Sequence, residues 1–247
     1  MPTVHDQGIC IRHWDFSETS QTVSIFGRSL GIVRGLAKGA RRERGAFDGG
    51  IDLLSRGEFG VIVKPGRELS TLTEWSLLES YPRLRMDLSA NRTAFYMADV
   101  VGRVLGPEDP HPVLFDRLVD SLRMLGSMRS PDEPAPDGAH ILLGFQWTLL
   151  CEAGYRPSLS NASPDAEVLE FAPGSGGIVP RGEPADGPRW KVRPGTVATL
   201  AALDAGSPMP NDAGSMERAN RLLAAYLRHV LGSEPPTMRP LFGEPTA

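Results

Sequence analysis

The chain has 247 residues, of which 40% are apolar and 23% are charged, close to the averages of globular proteins. This length suits one large domain or two small ones, and the composition argues against a fibrous or largely disordered chain. The 26 basic and 30 acidic side chains give a formal net charge of −4, which excludes a uniformly basic protein that coats nucleic acid. Arginine supplies 23 of the 26 positive charges, and its planar guanidinium group suits phosphate.

The sequence carries no signal for a membrane or a secretory pathway. No apolar run approaches the ~18 residues that a transmembrane helix needs, and no basic segment followed by an apolar run opens the chain. Cys10 and Cys151 are the only cysteines, too few for a disulfide framework. We therefore expect a reduced, cytoplasmic protein.

Residues 1–80 show the period-two alternation of apolar and polar side chains that is typical of strands. Five stretches have this pattern or a β-rich composition, namely 8–14, 20–26, 31–39, 59–64 and 69–78. No amphipathic helix separates them, and glycine or proline marks several of the turns. The pattern predicts a first domain at residues 1–80 that is a five-stranded barrel of the OB type.

Residues 81–247 change to a helical period and predict a second, α-helical domain. The apolar spacing indicates helices over 94–105, 112–125, 141–152 and 216–231, with Ser215 as the N-cap of the last and Gly232 at its end. Residues 156–194 are rich in glycine, proline and serine and predict an insertion without helices, whose degree of order stays open. The expected fold class is α+β.

Positive charge is concentrated in one short stretch of the predicted barrel. Residues 28–44 hold six cations and one anion, the most uneven charge distribution in the chain. If 31–39 is a strand, Arg34 and Lys38 project from its outer face, and the opposite face carries side chains small enough for a barrel interior. The preceding turn and the following loop add the remaining cations, Arg28, Arg41, Arg42 and Arg44.

A basic strand that leads into a basic loop suits a groove that follows a nucleic-acid backbone. The alternative is a solvated edge strand whose charges discourage aggregation. Aromatic rings that could stack on bases occur at Trp14, Phe16, Phe26, Phe47 and Phe59, although such rings more often belong to a core. Phe47, in a polar, glycine-rich loop beside the arginines, is the candidate that least resembles a core residue.

Sequence motifs for catalysis are absent. The glycine-rich run 174–177 is not followed by Gly-Lys-Ser/Thr, and neither G-x-S-x-G nor H-E-x-x-H occurs. The five histidines do not have metal-ligand spacing, and paired C-x-x-C motifs do not occur. We therefore expect no catalytic residues, no bound metal and no cofactor, and we interpret the chain as a protein that is not an enzyme.

Three segments resemble the bacterial DNA repair protein RecO family. Residues 31–42, GIVRGLAKGARR, are similar to the first-domain strand and basic loop of that family. Residues 72–82, LTEWSLLESYP, with the lead-in at 84–87, resemble the segment that leaves the barrel. Residues 149–157, LLCEAGYRP, resemble the helix end that precedes the family's insertion.

The resemblance implies an OB fold followed by a helical domain, binding of single- and double-stranded DNA, and annealing of complementary strands. It implies a mediator that works with RecR, and in many members with RecF, to load RecA onto DNA covered by single-strand-binding protein, whose acidic C-terminal tail it also binds. By motif match, DNA contact carries over to Arg34, Lys38, Arg41 and Arg42. Arg28 and Arg44 are added on geometric grounds. The implied location is cytoplasmic and nucleoid-associated.

The sequence departs from the family pattern in two places. Many members place four zinc-binding cysteines in the insertion, and residues 158–194 contain none. The segment after the last helix, 233–240, holds a single cation where members often carry several. Arg221 and Arg228, seven residues apart on the last predicted helix, are candidates for contact with an acidic partner tail, although a solvated helix face is the alternative.

Two other functional classes remain open from the sequence. One is an adaptor whose main ligands are proteins, with DNA contact supplied mainly by the partner complex. The other is a metal-dependent hydrolase on a barrel-plus-helix scaffold. DNA affinity of the isolated protein separates the first from a mediator, and a nuclease assay tests the second.

Overall fold

The computed structural model describes residues 2–42, 45–47, 49–63, 68–127, 137–161, 167–180, 182, 187–210 and 212–243. Packing divides the chain into two compact units, residues 1–136 and 137–247. The first two helices therefore pack with the strands that precede them. The domain boundary expected at residue 80 marks the change from strands to helices, and as a domain boundary it stays a prediction.

Five strands close into a barrel in the order β1-β2-β3-β5-β4. They are β1 (Val4–Asp15), β2 (Gln21–Gly27), β3 (Gly31–Ala37), β4 (Arg56–Ile62) and β5 (Ser70–Glu79). All neighbours are antiparallel except β3 and β5, which pair in parallel over three residues, from Gly35–Ser70 to Ala37–Leu72. The predicted five-stranded barrel is confirmed, and each of its strands overlaps a stretch predicted from the alternation.

The barrel interior is filled by alternate side chains of the strands. Val33 and Ala37 of β3 point inward and join the buried cluster, as the period-two pattern predicted. Gly35, between them on the same face, faces Leu72, and a Cβ atom at this position would lie 2.8 Å from Leu72 Cγ. A small residue is therefore required at Gly35, because the barrel is already closely packed there.

Helices α1 (Leu88–Val104) and α2 (Pro112–Gly126) pack in the same unit as the barrel. Asp87 caps α1 and accepts hydrogen bonds from the backbone nitrogens of Ser89 and Ala90, both at 3.0 Å. Phe115 of α2 meets Phe26 of β2 edge to face, with ring centroids 5.7 Å apart. These contacts bury the part of the outer barrel surface around Phe26.

The second unit consists of helices and one small sheet. Its helices are α3 (Gly138–Glu152), α4 (Pro194–Asp204), α5 (Ala213–Leu231) and α6 (Met238–Phe242). Almost all of α3 from Ile141 to Leu150 is buried, and α3 packs against α5. The polar group in this interface is satisfied, because Gln146 Nε2 donates to Asn220 Oδ1 at 2.9 Å.

Part of the insertion forms a three-stranded sheet in the order β7-β6-β8. Its strands are β6 (Leu169–Ala172), β7 (Gly177–Val179) and β8 (Trp190–Val192). Phe171 is fully buried, stacks on Trp190 at a centroid distance of 5.7 Å and meets Tyr226 of α5 edge to face at 5.3 Å. Aromatic packing therefore holds this sheet in place.

Two details of the helical region differ from the sequence-based expectation. Helix α4 was not predicted, because it has no amphipathic period. The N-cap of α5 is Asp212, which accepts from the backbone nitrogens of Gly214 and Ser215 at 3.1 and 3.2 Å, and the predicted cap, Ser215, lies inside the helix. Gly232 ends α5 as predicted, with a left-handed φ of 67°.

Candidate nucleic-acid interface

The outer surface of β1, β2 and β3 can be followed through their register. Trp14 lies opposite Thr22, and Thr22 lies opposite Leu36. Because Val33 and Ala37 point into the barrel, the alternate side chains of β3, including Arg34 and Leu36, point outward. Because directly paired residues share one face of a sheet, Trp14, Thr22 and Leu36 form a row on the outside of the barrel.

The basic face is defined here as Arg34, Lys38, Arg41 and Arg42, whose side chains are all exposed. Arg34 lies on β3 next to Leu36 on the outer surface, and the other three follow the end of the strand. The backbone nitrogen of Arg42 donates to Gly39 O at 3.1 Å, which forms a turn directly after β3. The four cations to which the family motif assigned DNA contact thus follow one another along β3 and the turn after it, and their contact with DNA stays a prediction.

Two members of the basic face are paired with exposed carboxylates. Arg34 Nη1 lies 3.6 Å from Glu68 Oε1, and the Glu68 side chain is 84% exposed. Arg41 forms an ion pair with Asp15 at the end of β1. Within the described residues, Lys38 and Arg42 form no ion pair. Exposed pairs are worth about 0–1 kcal/mol, so an incoming phosphate can compete with both carboxylates.

The two cations added on geometric grounds have different outcomes. Arg28 lies in the β2–β3 turn, at the opposite end of β3 from Lys38, about 20 Å away at 3.3 Å per residue. Its guanidinium group is bound to Asp116 of α2. It is therefore not included in the basic face, and its contact with DNA stays a prediction. Arg44 lies outside the described residues.

The prediction that Phe47 stacks on bases is wrong. Its side chain is only 5% exposed and belongs to the buried cluster inside the barrel. The neighbouring residue Ala46 is held against β5, because its carbonyl oxygen accepts a hydrogen bond from the backbone nitrogen of Trp75 at 2.7 Å. The sequence around Phe47 is polar and rich in glycine. It gives no indication that Phe47 packs inside the barrel.

Of the five aromatic residues considered for stacking, Trp14 and Phe16 are exposed, at 51% and 62%. The register of β1 and β2 shifts between Cys10 and Arg12. Cys10 points into the barrel, and the shift moves the even-numbered residues Arg12 and Trp14 to the outer surface. Strict alternation hides this change, but the position of both rings beside a predicted turn could have indicated it.

The candidate partner contacts on α5 both have partners within the protein. Arg221 pairs with Glu217 at 3.1 Å and donates through Nη1 to Phe242 O at 2.8 Å. Arg228 lies 3.4 Å from Glu234. Arg221 thus connects α5 to the C-terminal end of α6, and contact with a partner's acidic tail stays a prediction for both arginines.

An activated cysteine thiol or a cluster of metal ligands would supply chemical groups for catalysis. Burial raises the pKa of the Cys10 thiol to about 12, and burial also raises the pKa of Cys151, so both thiols are protonated at neutral pH. Among the residues with described coordinates, no cluster of three His, Cys, Asp or Glu side chains could hold a metal ion. No helix in the described part of the chain is long and apolar enough to cross a membrane.

Comparison with known families and proteins covers both units. The family model for recombination protein O, N terminal, matches residues 1–81, and that for recombination protein O, C terminal, matches residues 85–239. A DNA repair protein RecO of Anaeromyxobacter dehalogenans is 29% identical over 245 residues, 94% of this chain and 93% of that protein. One of Desulfitobacterium hafniense is 28% identical over 233 residues, 90% of this chain and 78% of that protein.

A further relative, a DNA repair protein RecO of Rhodopirellula baltica, is 38% identical over 154 residues. That match covers 61% of this chain and 53% of the relative, about half of its length. The resemblance found in the three sequence segments is therefore confirmed, as is the combination of an OB-type barrel with helices. Both family models and all three relatives lead to one assignment: the chain belongs to the RecO family of DNA repair proteins.

Proposed function

We propose that this protein is a DNA-binding mediator of recombinational repair that acts without catalysis. The observation that carries the proposal is the basic face, in which one exposed cation on β3 and three directly after it lie on the outside of an OB-type barrel. The outer surface of strands 2 and 3 and the β1–β2 loop are where OB folds commonly hold oligonucleotides. Membership in a family of DNA repair proteins supports the same assignment.

The chemistry of the basic face suits the phosphate backbone and not a base sequence. Arginine and lysine neutralise phosphates and release counterions, so the affinity should fall steeply with salt and depend little on sequence. The carboxylates of Glu68 and Asp15 compete with phosphate for Arg34 and Arg41. We therefore expect modest affinity for DNA in the absence of a partner protein.

Strand annealing follows from the same property. Neutralising two backbones on one surface lowers the repulsion between complementary strands while the bases remain free to pair, and no catalytic group is needed. The family resemblance supplies the proposed partners: RecR, in many members RecF, the tail of single-strand-binding protein, and RecA as the protein that is loaded. Such a protein would act on chromosomal DNA in the cytoplasm, at the nucleoid.

A strand-annealing assay with complementary strands coated by single-strand-binding protein tests this proposal. We expect the protein to accelerate duplex formation without nucleotide hydrolysis, and the acceleration to fall when Arg34 and Lys38 are both changed to alanine. A matched control is Lys191→Ala with Arg193→Ala, which removes one exposed lysine and one exposed arginine from the region of β8. No acceleration by the unaltered protein, or cleavage of the strands with a divalent metal, would overturn the proposal.

A second candidate function is an adaptor that receives most of its DNA contact from a partner complex. The pairing of Arg34 and Arg41 with carboxylates and the net charge of −4 favour it. The two functions differ in the affinity of the isolated protein for single-stranded DNA at physiological salt. Binding that appears only after RecR is added supports the adaptor, and binding by the protein alone supports the mediator.

A further inference from the structure

We propose that Trp14 and Phe16 form a stacking platform for unpaired bases, which makes the basic face select single strands over duplex DNA. The inference rests on the proposed function, because it concerns the same surface. It assigns a separate task to each chemical type: the cations hold phosphates of any nucleic acid, and the rings require bases that are free of a partner strand.

Trp14 lies close to the basic face on the outside of the barrel. Trp14 lies in the row Trp14–Thr22–Leu36 on the outside of the barrel. Adjacent strands are about 4.8 Å apart, so two strand spacings place Trp14 about 10 Å from Leu36, beside which Arg34 projects. The platform and the basic face are thus close enough for one short oligonucleotide to reach both.

The turn that carries the two rings is held in a defined conformation. The backbone nitrogen of Phe16 donates to Ser20 O at 3.0 Å, which closes the β1–β2 turn. The backbone nitrogen of Arg41 donates to Thr19 O at 3.1 Å, and its guanidinium group pairs with Asp15, the residue between the two rings. The loop of the basic face is therefore attached directly to the turn of the platform.

Trp14 and Phe16 expose much of their surface to solvent. Of the four tryptophans, Trp75 and Trp147 are buried and Trp190 is half-buried, whereas Trp14 is 51% exposed. Phe16 is 62% exposed, and neither Trp14 nor Phe16 stacks on another aromatic ring among the described residues. Two large apolar rings therefore keep half or more of their surface in water, and burial of that surface would be favourable. A ligand with flat apolar faces would recover that surface.

Charge complementarity selects the ligand. An apolar protein segment would also cover the rings, but the surrounding cations at Arg34, Lys38, Arg41 and Arg42 favour a polyanion. Single-stranded nucleic acid combines both features, because it is a polyanion whose bases present π faces. In a duplex those faces are stacked on one another, so only the phosphates remain available to the site.

Intrinsic fluorescence provides a direct test, because Trp14 is the most exposed of the four indoles. The full-length protein is titrated with oligothymidine of about 16 nucleotides, the upper end of the site size of an OB fold. An abasic oligonucleotide of equal length and a blunt duplex provide the same phosphates without accessible bases. We expect quenching of Trp14 emission by oligothymidine only, and loss of that quenching in Trp14→Phe, which removes the indole and keeps an aromatic ring.

The double variant Trp14→Ala with Phe16→Ala provides the second readout. We expect the affinity for oligothymidine to fall by about 5-fold or more. The affinity for duplex should stay within about 2-fold of that of the unaltered protein. Equal losses for both ligands, or unchanged affinity for oligothymidine, would overturn the inference. Retained DNA binding with lost binding of a partner protein would instead identify the rings as a protein-docking site. Failure of the unaltered protein to bind any DNA, even with RecR, refutes the proposed function itself and is thereby distinguished.

Discussion

Arg28 donates two parallel hydrogen bonds to Asp116, from Nε to Oδ1 at 2.9 Å and from Nη2 to Oδ2 at 2.8 Å. This bidentate pair fastens the β2–β3 turn to α2. The hydrogen bond from Arg28 also lowers the pKa of the Asp116 carboxyl group, so the pair stays ionised at neutral pH. The guanidinium fork that could hold a phosphate is therefore already occupied.

The first prediction concerns the division of labour between Arg28 and Arg34. Arg28→Ala should lower the affinity for single-stranded DNA less than Arg34→Ala does, because Arg34 meets its carboxylate at 3.6 Å and through one nitrogen. Fluorescence anisotropy of a labelled oligonucleotide, measured for both variants at one salt concentration, checks this. A larger loss for Arg28→Ala would show that DNA runs along the whole length of β3.

The second prediction concerns the carboxylate that competes for Arg34. Glu68→Gln should raise DNA affinity by up to about 5-fold, because it removes an exposed ion pair worth about 0–1 kcal/mol that phosphate must otherwise displace. Glu58→Gln is the control, since Glu58 is an exposed glutamate on β4 that loses the same charge. An equal gain in both variants would mean that net charge, and not the pair with Arg34, limits binding.

The third prediction concerns Glu79, at the end of β5, which accepts hydrogen bonds from Arg56 at 2.9 Å, Arg123 at 2.8 Å and Tyr81 at 3.1 Å. Partial burial acts to raise the pKa of Glu79, but the hydrogen bonds from Arg123 and Arg56 outweigh it and the pKa is lowered. Glu79→Gln should reduce the free energy of unfolding by about 1–2 kcal/mol at neutral pH.

The sign of the pH dependence follows from that lowered pKa. The contribution of Glu79 is fully present above the ordinary glutamate pKa of about 4.3 and is lost as the pH falls through the lower value of the folded state. Urea unfolding of both proteins across this range should show the difference between them shrinking on acidification. A difference that stays constant into the acid range would assign the effect to shape and not to charge.

The fourth prediction concerns the sheet formed within the insertion. Phe171→Ala should destabilise the protein by about 3–5 kcal/mol, because it removes a fully buried ring that contacts both Trp190 and Tyr226. Trp190→Ala, at a half-buried position, should cost less. Denaturant unfolding measures both, and a chelator should leave the midpoint unchanged, since residues 156–194 contain neither cysteine nor histidine. A midpoint that drops with chelator would contradict aromatic packing as the main stabilising element.

Local patterns predicted the strands well because period-two alternation reflects a barrel with one buried and one exposed surface. The outer positions of Arg34 and Lys38 follow from it directly. Helix α4 escaped prediction because Pro194–Asp204 is rich in alanine and lacks an apolar stripe. The apolar spacing by which an amphipathic helix is predicted is therefore absent from this segment.

The errors at the candidate site have a different cause, since they depend on contacts between distant residues. Phe47 is buried because it packs with Ala40 and Ile51 in the cluster inside the barrel, and a local pattern does not encode that packing. The exposure of Trp14 depends on the register shift before Arg12. Cys10 points into the barrel, and after the shift the even-numbered residues of β1 point outward. Alternation alone therefore did not show that Trp14, one of the five aromatic residues considered for stacking, lies on the outer surface.

The central claim is that the basic face holds DNA phosphates, and the salt dependence of binding tests it most directly. The fifth prediction is that Arg34→Ala with Lys38→Ala weakens single-strand binding and lowers the slope of log affinity against log salt by about 1.4, if about two phosphate contacts are lost. Lys191→Ala with Arg193→Ala should leave the slope unchanged. An affinity and a slope equal to those of the unaltered protein in the first variant would contradict the account.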